Sequence, residues 1–187
     1  MQYRKQTVSQ QILEAAMVEF DEKGYSEASI RAIAKRANTS VGNVYRYFRN
    51  KEDLFLACLM PVLDACIDWT GKIFDISTRE AICFTAARIS DYVEAHSREF
   101  RMISQGPAVH YAAFLKRYAA CVARQLRYMA DPDTIDPVLM DTLAGAFIGG
   151  MRTIMETDPD APGKDRSLLE FMMFLFGDFK LRLAKHE

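Results

Sequence analysis

The stretch from Thr39 to Phe48 reads TSVGNVYRYF, and its side chains could hold a polyanion. Asn43, Tyr45, Arg46 and Tyr47 crowd together, and Lys51 follows shortly after. An amide, a guanidinium and two phenols supply hydrogen-bond donors, acceptors and flat rings. Such groups suit phosphate oxygens, base edges and thymine methyls. A solvated helix face is ordinarily rich in Glu and Lys, which favour helix and solubility. On a wheel of about 100° per residue, Val41, Val44, Tyr45 and Phe48 cluster on one side. Gly42, Asn43, Arg46 and Tyr47 fall opposite. Val44 and Phe48 are therefore expected to anchor the helix, and Gly42 lets another surface come close. The competing reading is an ordinary exposed helix.

The elements that would position these groups are all helices. No run alternates with period two, and apolar residues recur at helical spacing throughout. A first helix is expected over about 8–23, with Ile12, Ala16 and Phe20 on one face and Gly24 as its stop. Ser29 caps a short helix whose Ile30, Ile33, Ala34 and Ala37 form an apolar stripe. Asn38 marks a turn, because Asn tolerates a left-handed backbone. Ser40 caps the helix ending near Arg49. Asn50 caps a longer one over 51–74, with acids in its first turn and a kink expected at Pro61. Further helices are expected over 78–95, 98–104, 109–130, 137–157 and 166–184. The whole is an all-α chain of about nine helices. Two short helices joined by a tight turn, the second carrying a polar face, make a helix-turn-helix.

Net charge is −1, which by itself points to no nucleic acid. Its distribution is more telling: residues 1–51 hold nine Lys/Arg and five Asp/Glu, while the remainder holds fifteen and twenty. A basic head on an acidic body suggests that the head alone meets a polyanion. The opening MQYRKQTVSQQ has no apolar h-region, so no signal peptide is expected. The apolar run Leu168–Gly177 is too short for a bilayer. Cys58, Cys66, Cys83 and Cys121 form no CxxC pair and are expected to be buried, reduced thiols in a cytoplasmic protein.

At this point the residues become specific. Ser40, Val44, Tyr45, Tyr47, Phe48, Asn50, Lys51, Glu52 and Leu54 resemble the recognition helix and following cap of the TetR family of bacterial transcriptional regulators. Ser29-Ile30-Arg31-Ala32-Ile33-Ala34 is similar to that family's Thr-x-Arg-x-Ile-Ala segment, and Phe20 with Gly24-Tyr25 to the end of its first helix. The likeness covers residues 8–56; beyond them only helix number and length agree. Asn38 stands where Gly is usual. Thr39 replaces a usual aliphatic residue, which is expected to weaken one packing contact of the turn.

The resemblance implies roles. Residues 1–52 would form a helix-turn-helix DNA-binding domain, and 53–187 an effector-binding and dimerisation domain. Ser29, Tyr47 and Lys51 would touch phosphates. Arg31, Val41, Gly42, Asn43 and Tyr45 would lie in or beside the major groove, with Ser40 at the helix start and Arg46 at a variable DNA-contacting position. Arg4 and Lys5 would form a basic arm. The partners would be a double-stranded DNA operator, a small-molecule effector and a second copy of the chain, with no membrane, cofactor, metal or catalytic residue.

In the body, Leu139, Leu143, Phe147, Ile148, Met151, Ile154 and Met155 cover most of one helix, and the last helix is apolar almost all round. A helix buried on every side needs more neighbours than a small monomer supplies. Gly145 and Gly149, four apart, allow a close helix approach; the resemblance implies a homodimer built on these two helices, with Gly145, Gly149, Leu168, Phe171, Phe174 and Leu175 as its expected interface. A deep monomeric core would explain the same pattern. Cys66, Trp69, Arg88, Tyr92, Met102, His110, Tyr111 and Phe114 are candidates for an effector pocket, with Ala87 and Ala113 as positions where a larger side chain would fill it. Plain core packing is the alternative for each. Arg88 and His110 are singled out because a buried cation or imidazole needs a partner.

The function so read is a ligand-responsive transcriptional regulator, a repressor released from a palindromic operator by a largely apolar effector. Its rivals are a recombinase-like DNA-processing enzyme and an adaptor that no longer binds DNA. The enzyme would need a nucleophile or clustered carboxylates. The acids after residue 130 instead read as caps and loop solvation.

Overall fold

The computed structural model describes residues 7–130, 136–156 and 164–178. Among them run nine helices and no strand. They are α1 (Val8–Glu27), α2 (Ile30–Arg36), α3 (Val41–Tyr47), α4 (Lys51–Ile73), α5 (Arg79–Ala95), α6 (Ser97–Gln105), α7 (Ala108–Met129), α8 (Pro137–Glu156) and α9 (Lys164–Phe176). Two compact units divide the chain. The first takes residues up to Asp64 together with His96–Tyr111; the second takes Ala65–Ala95 and the chain from Ala112 onward. Compactness thus draws a different line from the motif-based boundary at 52/53, because the first unit also takes in α6 and the starts of α4 and α7.

In the first unit, α1 opens with a capping box. Thr7 Oγ1 accepts from the Gln10 N–H at 3.3 Å, and Gln10 Oε1 accepts from the Thr7 N–H at 3.0 Å, satisfying two donors at the helix end. Ile12, Ala16 and Phe20 are buried as the spacing predicts. The helix breaks at Gly24, whose φ of 71° and ψ of 167° suit glycine, and resumes briefly to Glu27. Phe20, Tyr25 and Phe55 form a ring cluster with centroids 4.9–6.1 Å apart. A side chain at Gly106 would meet the Phe55 ring at 2.7 Å, so glycine there permits the close approach. Asp21 on α1 holds α6 through Arg98 Nε at 3.1 Å and Arg101 Nη2 at 2.9 Å.

In the second unit, Phe74, Phe147 and Phe176 meet edge to face or tilted, with centroids 5.7–5.8 Å apart. Around them Ile82, Ile89, Met140, Leu168 and Met172 are buried. Helix α9 packs on α5 and α8. At Gly150 an added Cβ would lie 2.2 Å from the Phe171 ring, so α9 closes on α8 there rather than at Gly145 or Gly149. The Thr85 hydroxyl fixes the turn before α5: it donates to the Asp75 carbonyl at 2.9 Å and accepts from the Asp75 N–H at 3.2 Å.

Some expectations change. Helix α9 ends at Phe176, where Gly177 and Asp178 form a turn in which Asp178 takes a φ of 56°; the expected course over 179–184 lies outside the described residues. Cys83 is exposed on the outer side of α5, whereas Cys58, Cys66 and Cys121 are buried. Helix α4 runs through Pro61 over the range expected of it. It, rather than Leu168–Gly177, is the helix among the described residues long and apolar enough to cross a bilayer. Its Leu54, Leu59 and Leu63 are nonetheless buried in the first unit, and Cys66 and Thr70 in the second.

Candidate nucleic-acid interface

Two short helices and their caps build the site. Ser29 Oγ accepts from the Ala32 N–H at 3.1 Å, which starts α2. The Ser29 N–H donates to Glu19 Oε1 at 3.3 Å, and Glu19 is itself buried and 3.8 Å from Arg36. A buried carboxylate on α1 thus sets where α2 begins. Ile33 and Ala34 seat α2 in the core. Asn38 then takes a φ of 50°, the left-handed turn expected of it.

Ser40 Oγ accepts from the Asn43 N–H at 3.1 Å and starts α3. Val44 and Phe48 are buried and anchor this helix. The wheel groups Val41 and Tyr45 with them, yet these are 36% and 51% exposed. A seven-residue helix held at Val44 and just past its end leaves its first turn standing clear. Tyr47 is 49% exposed, and Gly42 and Arg46 are also exposed. Arg31 and Arg46 have no ion pair within the described residues, so both charges face outward uncompensated. Thr39 forms a hydrogen bond instead of an apolar contact: its Oγ1 accepts from Asn43 Nδ2 at 2.8 Å.

The start of α4 completes the surface. Asn50 Oδ1 accepts from the Asp53 N–H at 2.7 Å. Asp53 Oδ2 accepts from the Arg49 N–H at 2.9 Å, and its other oxygen meets the Arg49 guanidinium at 3.2 Å. These hydrogen bonds hold the Asp53 carboxyl below its ordinary pKa. Lys51 Nζ donates to the Ser26 carbonyl at 3.0 Å and sits 4.8 Å from the Tyr25 ring centroid. The ammonium is thereby oriented while two of its three N–H groups remain. Arg4 and Lys5 lie outside the described residues.

Sequence reasoning missed Glu19, the Lys51–Tyr25 contact and the Glu52–His110 contact of 2.6 Å. Glu52 and His110 are 58 positions apart, so no local pattern could have paired them. Thr39 and Asn43, at i and i+4, carried a legible helix-side spacing.

The eight effector candidates are divided between the units. Met102, His110 and Tyr111 belong to the first; Cys66, Trp69, Arg88, Tyr92 and Phe114 belong to the second. His110 has Glu52 as partner, and Arg88 is 48% exposed, 3.8 Å from Asp91 and 5.6 Å from the Trp69 ring. Arg88 is therefore no buried cation awaiting a ligand. Ala87 and Ala113 are exposed, so enlarging either would fill no cavity. Trp69 stacks on Tyr92 at 5.2 Å, and Phe114 on the buried Tyr118 at 5.8 Å. Tyr118 Oη accepts from the Thr70 hydroxyl at 3.2 Å, and burial raises the pKa of its phenol. Burial likewise pushes the Cys66 thiol up to about 12. A cavity of about 420 Å³ in the second unit is bounded by Ile76, Arg79, Ile82, Met173 and Phe174 among others, and none of the eight candidates lines it.

Of the six expected interface residues, Gly145, Gly149 and Phe174 are exposed, and Phe171 and Leu175 are half-buried. Leu168 is wholly buried in its own unit and cannot meet a partner.

The family profile for "Bacterial regulatory proteins, tetR family" matches residues 12–58. HbdR of Aromatoleum sp. (strain CIB), an HTH-type transcriptional regulator, is 43% identical over 54 residues. That stretch is 29% of this chain and 24% of HbdR, so the match spans about a quarter of the relative's length. The fold is shared far more widely. PfmR of Thermus thermophilus, a TetR family transcriptional regulator, superposes with a TM-score of 0.65 at 18% identity, covering 88% of this chain and 96% of PfmR. FadR of Bacillus subtilis, solved in complex with stearoyl-CoA, gives a TM-score of 0.63 at 20% identity over 87% of this chain and 96% of FadR. A family profile is thus seated on the α1–α4 surface just described, so residues 12–58 carry the helix-turn-helix segment of the TetR family, and the described helices share the fold of TetR family structures.

Proposed function

We propose that the chain is a cytoplasmic, ligand-responsive repressor that acts as a homodimer on a palindromic operator and is released by a small, largely apolar effector. One observation carries the DNA half: Val44 and Phe48 hold α3 while Val41, Gly42, Tyr45, Arg46 and Tyr47 stay open. A helix presented this way can enter a major groove with bases and phosphates both in reach. Arg31, Val41, Gly42, Asn43 and Tyr45 are assigned to the groove, with Ser40 beside them. Ser29, Tyr47 and Lys51 are assigned to phosphates, Arg46 to either, and Arg4 and Lys5 to the arm.

The dimer is assigned to α8 and α9. At Gly145 and Gly149 an added Cβ would meet nothing within 4 Å, and Phe174 is 79% exposed, which leaves that side open to a second copy. Two half-sites one helical turn apart then follow from the symmetry. Trp69, Tyr92 and Phe114 in the second unit are assigned to the effector. FadR was solved with stearoyl-CoA, which makes long-chain acyl thioesters the first class to test.

The test is selection of duplexes from a random pool, then titration of the selected site with and without effector candidates. Enrichment of a two-fold symmetric sequence is expected. An effector that weakens DNA binding by some factor must itself be weakened by DNA by that same factor, typically about 5–150-fold. Failure to enrich any sequence, with binding to random DNA no stronger than that of Arg46→Ala, would overturn the reading.

A further inference from the structure

The side-chain amide of Asn43 lies on the candidate reading helix, but part of it is already spoken for. Its Nδ2 donates to Thr39 Oγ1 at 2.8 Å, and its backbone N–H is held by Ser40 Oγ at 3.1 Å. Asn43 is half-buried while its neighbours Gly42 and Tyr45 are exposed. Thr39 is itself fixed, since its N–H donates to the Ala34 carbonyl at 2.9 Å across the left-handed turn at Asn38. The amide is thus tethered by its nitrogen to a residue whose backbone is held in place. Its carbonyl oxygen has no bond among the described residues.

An unrestrained Asn is ambidextrous: it can donate to a base acceptor or accept from a base amino group. In the major groove adenine N6 and cytosine N4 are donors, whereas guanine and thymine present acceptors. We propose that Thr39 is a specificity-determining residue, which by holding the Asn43 nitrogen presents its oxygen and makes the helix select adenine or cytosine at one position of the strand it faces. Thr39 touches no base in this scheme; it acts through Asn43. The inference rests on the sequence-specific DNA binding proposed above.

The test compares duplexes selected by the wild type, Thr39→Val, Thr39→Ser and Asn43→Ala from one random pool. Valine keeps the shape of threonine and removes the hydroxyl, and the backbone bond to Ala34 remains. Circular dichroism melting verifies that each variant is folded. The wild type and Thr39→Ser are expected to favour adenine or cytosine at one position in each half-site by roughly tenfold. Thr39→Val is expected to admit guanine and thymine there while its other positions stay unchanged, and Asn43→Ala is expected to lose the preference. A Thr39→Val variant that keeps the wild-type preference overturns the inference, and so does an Asn43→Ala variant that keeps it. A wild type that enriches no sequence overturns instead the reading beneath it, and the two failures are distinguishable.

Discussion

Helix α3 and the core of the second unit use aromatic side chains in opposite ways. On α3, Tyr45 and Tyr47 are about half exposed, and neither ring stacks on another in the described residues. In the second unit Phe74, Phe147, Phe176 and Tyr118 are buried and meet ring on ring. The same residue class therefore makes a surface in one place and a core in the other. The difference lies in the neighbours. Close to Tyr45 and Tyr47 in the chain stand the exposed Gly42, Arg46 and Arg49, and the two arginines gain from water or a polyanion. Those around Phe147 are aliphatic and aromatic groups that gain only by leaving water. An aromatic cluster in a sequence is a core or a recognition face according to what surrounds it.

The sharpest test of the dry half uses thiols. Cys66 beside Tyr118 has its pKa pushed up to about 12 by burial. At pH 8 roughly one in ten thousand such thiols is ionised. A maleimide or disulfide reagent is expected to label exposed Cys83 in the native protein and to spare Cys66 until it unfolds; equal labelling would show a wet interior. The sign of the pH effect follows. An unfolded Cys66 titrates near the ordinary 9.0 and the folded one near 12, so its contribution to stability is complete below pH 9 and is lost as pH rises through 12.

Removing a core ring should cost nearly as much. Phe147→Ala is expected to lower the unfolding free energy by about 3–5 kcal/mol in a denaturant titration, since the ring is fully buried among Phe74, Phe171 and Phe176. Next comes Gly150→Ala, at about 1–3 kcal/mol, because its Cβ must displace the Phe171 ring. Gly149→Leu sharpens that contrast. Its site is open within the chain, so sedimentation should show loss of the dimer rather than loss of fold. A Gly149→Leu dimer of wild-type affinity would remove α8 from the interface.

The smallest effect on stability belongs to the open face. Tyr47→Ala and Arg46→Ala are expected to change unfolding by no more than about 0.5 kcal/mol. Either should nonetheless weaken DNA binding, and Arg46→Ala should lower the salt slope by about one if it meets a phosphate. A large stability loss from Tyr47→Ala would mean that the ring is structural, and the comparison would fail.

Much of the helical frame was legible. Ser29, Ser40 and Asn50 mark helix starts through bonds to donors three residues on, a rule that needs no tertiary partner. Gly24 and Asn38 break the chain where a positive φ is required. Less could be read in the body. Periodicity made α8 and α9 apolar nearly all round, but could not say that Leu168 turns inward while Phe174 turns out. It could not tell that Arg88 lies at the surface, because α5 has residues of mixed character on both faces.

What the sequence determined by itself is therefore local: all-helical order, the turn at Asn38, the caps, and the pair Val44 and Phe48 that pins α3. These depend on residues within one or two turns of each other, where backbone hydrogen bonds and spacing leave few choices. Tertiary structure decided the rest. It chose Gly150 rather than Gly145 or Gly149 for the close approach to Phe171, joined Asp21 to Arg98 and Arg101, and brought His110 to Glu52. Each of those depends on which faces of separate helices meet, and close packing settles that for the whole core at once.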